Sequence, residues 1–168
     1  FYKTDKPILV IQPHGGPEGL GYQYSWTRDV PSPIVNEVLE YYKESHTIIH
    51  IKRQDQIIYP DTLQALDGFR SIAILLQLSD KRLLIDSFAQ HMAAALNLKS
   101  TVCWVSTKPE VFGYKLHDNI KAEPFTKEPD LTTAVYNPFH LTQDIHSIPY
   151  NDLNEVFTTD KIVTSLNN

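Results

Sequence analysis

The sequence has 168 residues, enough for about one domain with a sizeable apolar core. Its formal net charge is −5 and no basic stripe is visible, which argues against a nucleic-acid surface but not against a small anion site. The single cysteine excludes an internal disulfide and favours a reducing compartment, so we expect a cytoplasmic protein. No apolar run reaches the ~20 residues of a membrane-spanning helix, and no signal peptide is recognisable. Because the chain begins with Phe1 rather than Met, we expect a piece of a larger protein.

The N-terminal segment predicts a buried strand followed by a glycine-rich loop. Residues 6–11 form an apolar run, and residues 12–21 hold four of the six glycines. Such a loop after a first strand lets backbone approach a ligand closely, and in α/β folds that ligand is often a phosphate. The spacing matches neither G-x-G-x-x-G nor a P-loop, so an ordinary surface turn is an equal alternative. His14, beside Gly15 and Gly16, is the histidine best placed to face a cleft.

The next segments continue an alternation of helices and strands. Ser32 is expected to cap a helix in which Ile34, Val38 and Tyr41 form the buried stripe. A second strand is predicted over residues 47–51.

Polar residues then fall at the carboxyl end of that second strand. Residues 52–56 lie where open parallel sheets bind ligands. A short helix is predicted over residues 61–66, and Ser71 is expected to cap another helix that ends at Leu78.

Residues 82–105 predict one strand-helix-strand unit. The apolar run 82–85 leads into Ser87 and Gln90, which have the spacing of a capping box and place the start of an alanine-rich helix. The second strand, 101–105, is too continuously apolar for a sheet with one solvated face. We therefore expect a Rossmann-like parallel sheet with helices on both faces.

The pattern weakens after Val105, where prolines interrupt a mostly irregular stretch. Residues 151–166 predict one or two short helices. We expect a Rossmann-like domain over residues 1–122 and an irregular or helical tail over 123–168 that packs on the same domain. The order of this tail is expected to depend on another domain or subunit.

Three stretches of the chain together resemble one known family. They are the loop at 12–16, the run Arg-Asp-Val-Pro at 28–31, in which Val30 replaces the family's tryptophan, and the run Asp-Ser-Phe-Ala-Gln-His at 86–91. They are similar to the C-terminal, donor-binding half of glycosyltransferase family 9, which contains the lipopolysaccharide heptosyltransferases. The likeness covers roughly residues 7–115. The sequence departs from the family's Asp-Ser/Thr-Gly-x-x-His motif at Phe88, which replaces the glycine.

The resemblance implies the C-terminal half of a GT-B fold that holds a nucleotide-diphosphate sugar. Arg28 would neutralise the pyrophosphate, and N–H groups at the start of the helix after Asp86 would add a positive dipole. Phe88 is expected either to prevent close phosphate contact or to turn its ring into the core. The implied nucleotide-sugar-binding residues are His14, Gly15, Gly16, Arg28, Asp86, Ser87, Phe88 and His91, with Asp55 and Gln56 as further candidates.

Two of these residues have structural alternatives. Asp86 could serve only as a helix cap, and His91 could be a structural histidine. His46 and His50 alternate with strand residues and are expected to be ordinary. The remaining histidines show no metal-ligand spacing, so no metal site is expected.

The resemblance also implies an inverting glycosyltransferase that acts on a glycan or glycolipid acceptor without a metal or other cofactor. The catalytic base is expected on an acceptor-binding N-terminal domain, joined in cis or supplied in trans, so no catalytic residue is assigned to this chain. Membrane association would be at most peripheral, at the inner face. The alternatives are a non-catalytic nucleotide-binding module and an α/β domain used for protein interaction.

Overall fold

The fold is described from a computed structural model, which defines residues 4–15, 27–65, 68–127 and 148–168. The strands are β1 (Ile8–Ile11), β2 (Thr47–Ile51), β3 (Thr62–Ala65), β4 (Lys81–Ile85), β5 (Thr101–Trp104) and β6 (Asp118–Lys121). The helices are α1 (Ser32–Tyr42), α2 (Phe69–Leu78), α3 (Phe88–Ala95), α4 (Pro109–Phe112) and α5 (Thr159–Leu166), with a 3₁₀ turn at Leu153–Glu155.

The six strands form one parallel sheet in the order β3-β2-β1-β4-β5-β6. This is the strand order of the Rossmann fold, in which the chain builds one half outward from β1 and then returns to build the other half from β4. The predicted Rossmann-like parallel sheet is therefore confirmed. In this order the direction in which successive strands are added to the sheet reverses between β1 and β4.

Two apolar clusters cover the two faces of the sheet. Leu9 and Ile11 pack with α1 and α5 on one face, whereas Val10 between them packs with α2 and α3 on the other. Leu83 and Leu84 of β4 divide between the clusters in the same way. Because successive side chains of a strand point to opposite faces, this alternation explains why β1 and the second half of β4 are apolar at consecutive positions.

The segment predicted as a short helix at 61–66 is instead an edge strand. Residues 62–65 pair in parallel with β2. Asp61, just before the strand, has a φ of 57° and so breaks any helical start. Pairing with the exposed edge of β2 outweighs the weak local helical preference of Thr-Leu-Gln-Ala.

The sheet also has a sixth strand that the sequence pattern did not indicate. Residues 118–121 pair with β5 although they contain only one apolar side chain, Ile120. An edge strand that is only partly buried needs few apolar side chains, so its sequence does not show the apolar pattern of a buried strand.

Local details of two helices differ from the predictions. In α1 the N-cap position is Pro31 rather than Ser32, and Tyr41 is exposed while Tyr42 is buried. In α3 the N-cap residue is Ser87 as predicted, but no side chain caps the helix. Gln90 instead donates to the carbonyl oxygen of Phe112 at 3.2 Å, so the predicted capping box is wrong.

The third helix correction concerns α2. Its N-cap position is Gly68, and the helix begins before Ser71, which lies within its first turn. The capping role predicted for Ser71 is therefore wrong. No helix in the described part of the chain is long and apolar enough to cross a bilayer.

The end of the chain packs on α1 and the sheet. Tyr42 donates its hydroxyl proton to Asn167 at 2.9 Å, and Lys81 donates to the carbonyl oxygen of Leu166 at 2.5 Å. Ile162 is fully buried in the same cluster as α1. Helical structure is thus present within the predicted range 151–166.

Candidate functional site

A cavity of about 660 Å³ opens at the carboxyl edge of the sheet. This volume lies within the range of small-molecule and nucleotide sites. Its walls come from the segments that follow β1, β2 and β4, from the end of β3 and from the starts of α2 and α3. The lining residues are Gln12, His14, Gly15, Ile51, Lys52, Arg53, Gln54, Asp55, Gln56, Ala65, Gly68, Phe69, Ile72, Ser87 and Phe88.

The position of the cavity follows from the topology of the sheet. In open α/β sheets, ligands bind outside the carboxyl ends of the strands at the point where the strand order reverses. Here that point lies between β1 and β4, and the cavity lies against the loops leaving both strands. Gln12 connects these loops, since its amide nitrogen donates to the hydroxyl oxygen of Ser87 at 3.3 Å.

Two helices begin at this cavity. Gly68 and Phe69 start α2, Ser87 and Phe88 start α3, and all four residues line the cavity. Neither helix has a side-chain cap, and neither carries an acidic residue in its first turn. The first N–H groups of both helices and their positive dipole ends are therefore available to an anion.

Charged side chains also contribute to the electrostatic potential of the cavity, and they lie mainly on one side of it. Lys52 and Arg53 lie on the β2 side of the cavity together with Asp55. Lys52 donates its ammonium group to the carbonyl oxygen of Arg53 at 2.7 Å, and Arg53 is paired with Asp55 at 3.2 Å. The arginine and the carboxylate partly offset each other, so the dipoles of α2 and α3 remain the main positive feature near Ser87.

Arg28 lies beside Gly15 at the mouth of the loop after β1. A Cβ atom on Gly15 would be 3.0 Å from Cδ of Arg28 and 3.2 Å from Cδ1 of Ile85. The glycine therefore gives the arginine side chain room to lie across the loop. Arg28 does not line the cavity itself, but its side chain lies against a residue that does.

The segment that carries Arg28 is held on both sides. Val30 donates its N–H to the carbonyl oxygen of Pro13 at 3.0 Å. Ser106, after β5, donates its N–H and its hydroxyl to the carbonyl oxygen of Thr27, at 3.1 and 2.6 Å. The Asp29 carboxylate accepts the N–H of Gly15 at 3.0 Å. These bonds fix the loop after β1 relative to Arg28.

A buried polar cluster supports the same loop from below. His14 Nε2 and the hydroxyl oxygen of Tyr59 are hydrogen-bonded at 2.7 Å, and that hydroxyl lies 3.0 Å from the hydroxyl oxygen of Ser32. The other ring nitrogen of His14 lies 3.4 Å from the Asp29 carboxylate. His14 thus lines the cavity while both of its ring nitrogens lie near protein groups, which indicates that it supports the loop after β1.

His50 belongs to this cluster, although its sequence context suggests an ordinary strand residue. Its ring lies 5.4 Å from Tyr59 and 6.4 Å from His14, measured between ring centroids. It is fully buried, and neither ring nitrogen has a hydrogen-bond partner among the residues that the structure describes. Burial, and then the neighbouring His14 and Lys52, lower the pKa of His50 to about 3, so it is neutral at pH 7.

The structure brings most of the predicted site residues together. Six of them line the cavity, namely His14, Gly15, Asp55, Gln56, Ser87 and Phe88. Arg28 lies against Gly15. Asp86 and His91 are not among the lining residues, and Gly16 lies outside the described residues. Ligand binding by any of them stays a prediction.

His91 has contacts elsewhere. Its Nδ1 lies 3.1 Å from the hydroxyl oxygen of Tyr114, and the two rings meet edge to face. These contacts place it toward α4 and agree with the structural alternative for this histidine.

Gln12 and Phe69 are among the lining residues that sequence reasoning missed. Gln12 is buried, and within the described part of the chain its side-chain oxygen, Oε1, lacks a hydrogen-bond partner. Phe69 is 70% exposed and contacts Phe88 edge to face, with ring centroids 5.4 Å apart. The place of Gln12 directly after β1 could have indicated it, whereas Phe69 carried no signal because the start of α2 was placed too late.

Within the described ranges, no three His, Cys, Asp or Glu side chains converge as metal ligands would. Metal independence stays a prediction.

Two solved structures are similar to this chain. The E. coli heptosyltransferase WaaC with ADP superposes with a TM-score of 0.57 at 12% identity, over 70% of this chain and 38% of that one. The E. coli ADP-heptose lipopolysaccharide heptosyltransferase II gives a TM-score of 0.56 at 14% identity, over 73% and 40%. The chain therefore spans about two fifths of the length of these proteins.

The fold is thus a Rossmann-like α/β arrangement shared with part of the heptosyltransferases, and the predicted resemblance is confirmed at the level of the fold. No protein-family model matches the sequence, and no curated protein was found to match it.

Proposed function

We propose that this chain is the nucleotide-diphosphate-sugar-binding domain of a glycosyltransferase. The observation that carries the proposal is the cavity at the strand-order reversal, onto which the uncapped starts of α2 and α3 both open. A diphosphate is the anion that such paired helix starts favour, and one of the two similar structures was solved with ADP. The apolar wall formed by Ile51, Ala65 and Ile72 gives the rest of a nucleotide a surface to pack on.

The proposed reaction is direct displacement with inversion. An acceptor hydroxyl on a glycan or glycolipid attacks the anomeric carbon, a base takes its proton, and the bond to the nucleoside diphosphate breaks. Arg28 and the start of α3 would stabilise the negative charge that develops on the departing diphosphate. The base and the acceptor site are assigned to a second domain, in cis or in trans, so we propose such a domain as the partner of this chain.

Thermal unfolding with a panel of nucleoside diphosphates tests the proposal. ADP, GDP, UDP and CDP are compared at equal concentration, with AMP and inorganic phosphate as controls. A ligand at 100 times its Kd stabilises the folded state by ~2.7 kcal/mol, so at least one diphosphate should raise the melting temperature by several degrees. If no nucleoside diphosphate shifts the melting temperature, the proposal is wrong.

A nucleotide-binding domain without transfer activity is the second candidate. The ring of Phe88 lines the cavity beside Ser87, where close phosphate approach would favour a smaller residue. Assaying the full-length protein with its second domain separates the two candidates. Release of nucleoside diphosphate from a sugar donor supports the transferase, whereas binding without turnover supports the second candidate.

A further inference from the structure

Phe69 is an unusually exposed aromatic residue at the edge of the cavity. It is the first residue of α2 and is 70% exposed, while its ring contacts that of Phe88 edge to face. Because removing apolar area from water is favourable, a ring left open beside a cavity is a surface that a ligand can cover. The Phe69 side chain thus lines the cavity with its ring held against that of Phe88.

The wall behind this aromatic pair is apolar. Ile51 and Ala65 at the ends of β2 and β3, and Ile72 on α2, are buried and line the cavity beside Phe69. These side chains and the aromatic pair give a flat, weakly polar group an apolar surface to pack on.

Other lining residues of the same cavity are polar or lack a side chain. Among the residues that the structure describes, the side-chain oxygen Oε1 of Gln12 is buried without a hydrogen-bond partner, Ser87 stands at the N-cap position of α3, and Gly15 also lines the cavity. A ligand that fills the cavity would therefore need one flat aromatic end and one end with anionic oxygens and hydroxyl donors.

We propose that Phe69 is a platform on which the base of the bound nucleotide stacks, with the Phe88 ring held edge to face against it, while the sugar and diphosphate lie toward Gln12, Gly15 and Ser87. This inference rests on the proposed function, and it identifies where in the cavity the base is recognised. Every base has a π-face, so stacking tolerates different bases, and a larger ring system gains more contact. Purine nucleotides should accordingly bind more tightly than pyrimidine nucleotides.

Binding measurements on Phe69→Ala test the platform. Isothermal titration is carried out on the whole chain with ADP, UDP, adenosine and inorganic pyrophosphate. Loss of one stacked ring weakens base binding by about 10- to 100-fold, so the Kd for ADP and for adenosine should rise by that factor. The Kd for pyrophosphate, which has no base, should be unchanged, and the preference for ADP over UDP should narrow.

Two further variants sharpen the result. Phe112→Ala removes another exposed aromatic ring, on α4 and outside the cavity lining, and should leave every Kd unchanged. Phe69→Leu keeps an apolar side chain without a π-face and should recover only part of the affinity for ADP. Because Phe69 is mostly exposed, both substitutions at this position should keep the melting temperature of the free protein within a few degrees.

The outcomes separate this inference from the proposed function. If wild-type protein binds ADP and Phe69→Ala binds it equally well, or loses affinity for pyrophosphate to the same extent, the platform is wrong while the proposed function stands. If wild-type protein binds none of the nucleoside diphosphates and no adenosine, both are wrong.

Discussion

Arg28 shows how single residues are placed at this site by their neighbours. Its backbone segment is hydrogen-bonded to Pro13 on one side and to Ser106 on the other, and its side chain lies over Gly15. Arg28 is thus fixed near the loop after β1, although Arg28 and Gly15 are both far in sequence from the start of α3. The contribution of the Arg28 charge to ligand binding can therefore be tested by replacing this one side chain.

Arg28→Ala should weaken binding of nucleoside diphosphates. A hydrogen bond to a charged group contributes about 1.5–3 kcal/mol, so the Kd for ADP should rise by about 10- to 100-fold. Isothermal titration measures the change. Lys99→Ala is the matched control, because it also removes one positive charge but lies before β5, at the opposite edge of the sheet. Equal affinity of wild type and Arg28→Ala would remove Arg28 from the site.

His50 links a single buried residue to the pH dependence of stability. The pKa of His50 is lowered to about 3 in the folded protein, against about 6.5 when unfolded. Between about pH 3 and pH 6.5, the His50 ring is protonated in the unfolded state but not in the folded state. The free energy of unfolding therefore falls as the pH falls below about 6.5. The slope from one such group is at most about 1.4 kcal/mol per pH unit. At pH 7 the ring is neutral in both states and adds no such penalty.

His50→Phe should therefore flatten the pH dependence of the free energy of unfolding. It also removes two buried nitrogens without partners, so stability at pH 7 should be equal or greater. Urea unfolding of both proteins at several pH values from 4.5 to 7.5 gives the two curves. Burial also lowers the pKa of His46 and of His117, so some slope should remain in the variant. Parallel curves for wild type and variant would contradict the assignment to His50.

At the scale of elements, α5 closes one face of the sheet. Ile162 is fully buried against the cluster that contains α1, and Ser165 is hydrogen-bonded to Thr101 of β5 at 2.7 Å. The helix therefore joins α1 to the second half of the sheet. We expect α5 to stabilise the fold mainly through its buried apolar side chains, because an ion pair on its exposed face contributes little.

Ile162→Ala should lower the free energy of unfolding by about 2–5 kcal/mol, the range for removing a buried isoleucine side chain. Lys161→Ala provides the control on the same helix. Its ammonium group pairs with Glu123 at 2.5 Å, but an exposed ion pair contributes only ~0–1 kcal/mol. Urea unfolding of the two variants compares them directly. A loss at Ile162 no larger than that at Lys161 would mean that α5 is not part of the cooperative fold.

The start of α3 is the element on which the proposed chemistry most depends. Ser87 stands at its N-cap position, yet its hydroxyl oxygen accepts a hydrogen bond from the side-chain amide of Gln12 instead of capping the helix. The first N–H groups of α3 are consequently left to a ligand or to solvent. A capping box, as the sequence spacing predicts, would have used some of those donors.

For the whole molecule, the chain corresponds to about two fifths of the two heptosyltransferases that it resembles. A sheet with its own two-sided core can fold without the rest of such a protein. A transfer reaction, however, needs a base and an acceptor site beyond the donor cavity. The proposed function therefore predicts different results for binding and for turnover.

The isolated chain should bind nucleoside diphosphates but should not transfer sugar. Donor turnover is measured as released nucleoside diphosphate, first with this chain and then with the full-length protein, using a nucleotide sugar of the base preferred in the binding panel. Activity should appear only when the second domain is present. Turnover by the isolated chain at the full-length rate would place the base within residues 1–168 and contradict the two-domain proposal.

The sequence by itself determined the central framework of this protein. Continuous apolar runs at β1, β2, β4 and β5 predicted a covered parallel sheet, because a strand buried on both faces has no polar side. Residues after β1, β2 and β4 were among the site residues that the family resemblance implied, and parallel strands bring their carboxyl ends to one edge. His14, Gly15 and Ser87 do lie together there.

Only the tertiary structure decided the features that depend on distant partners. Residues 62–65 become β3 because β2 offers an open edge, and residues 118–121 become β6 because β5 offers another. The contacts of Phe69 with Phe88 and of Gln12 with Ser87 join residues far apart in the chain. Local propensity and spacing carry no information about such pairs, since their geometry exists only once the sheet has assembled.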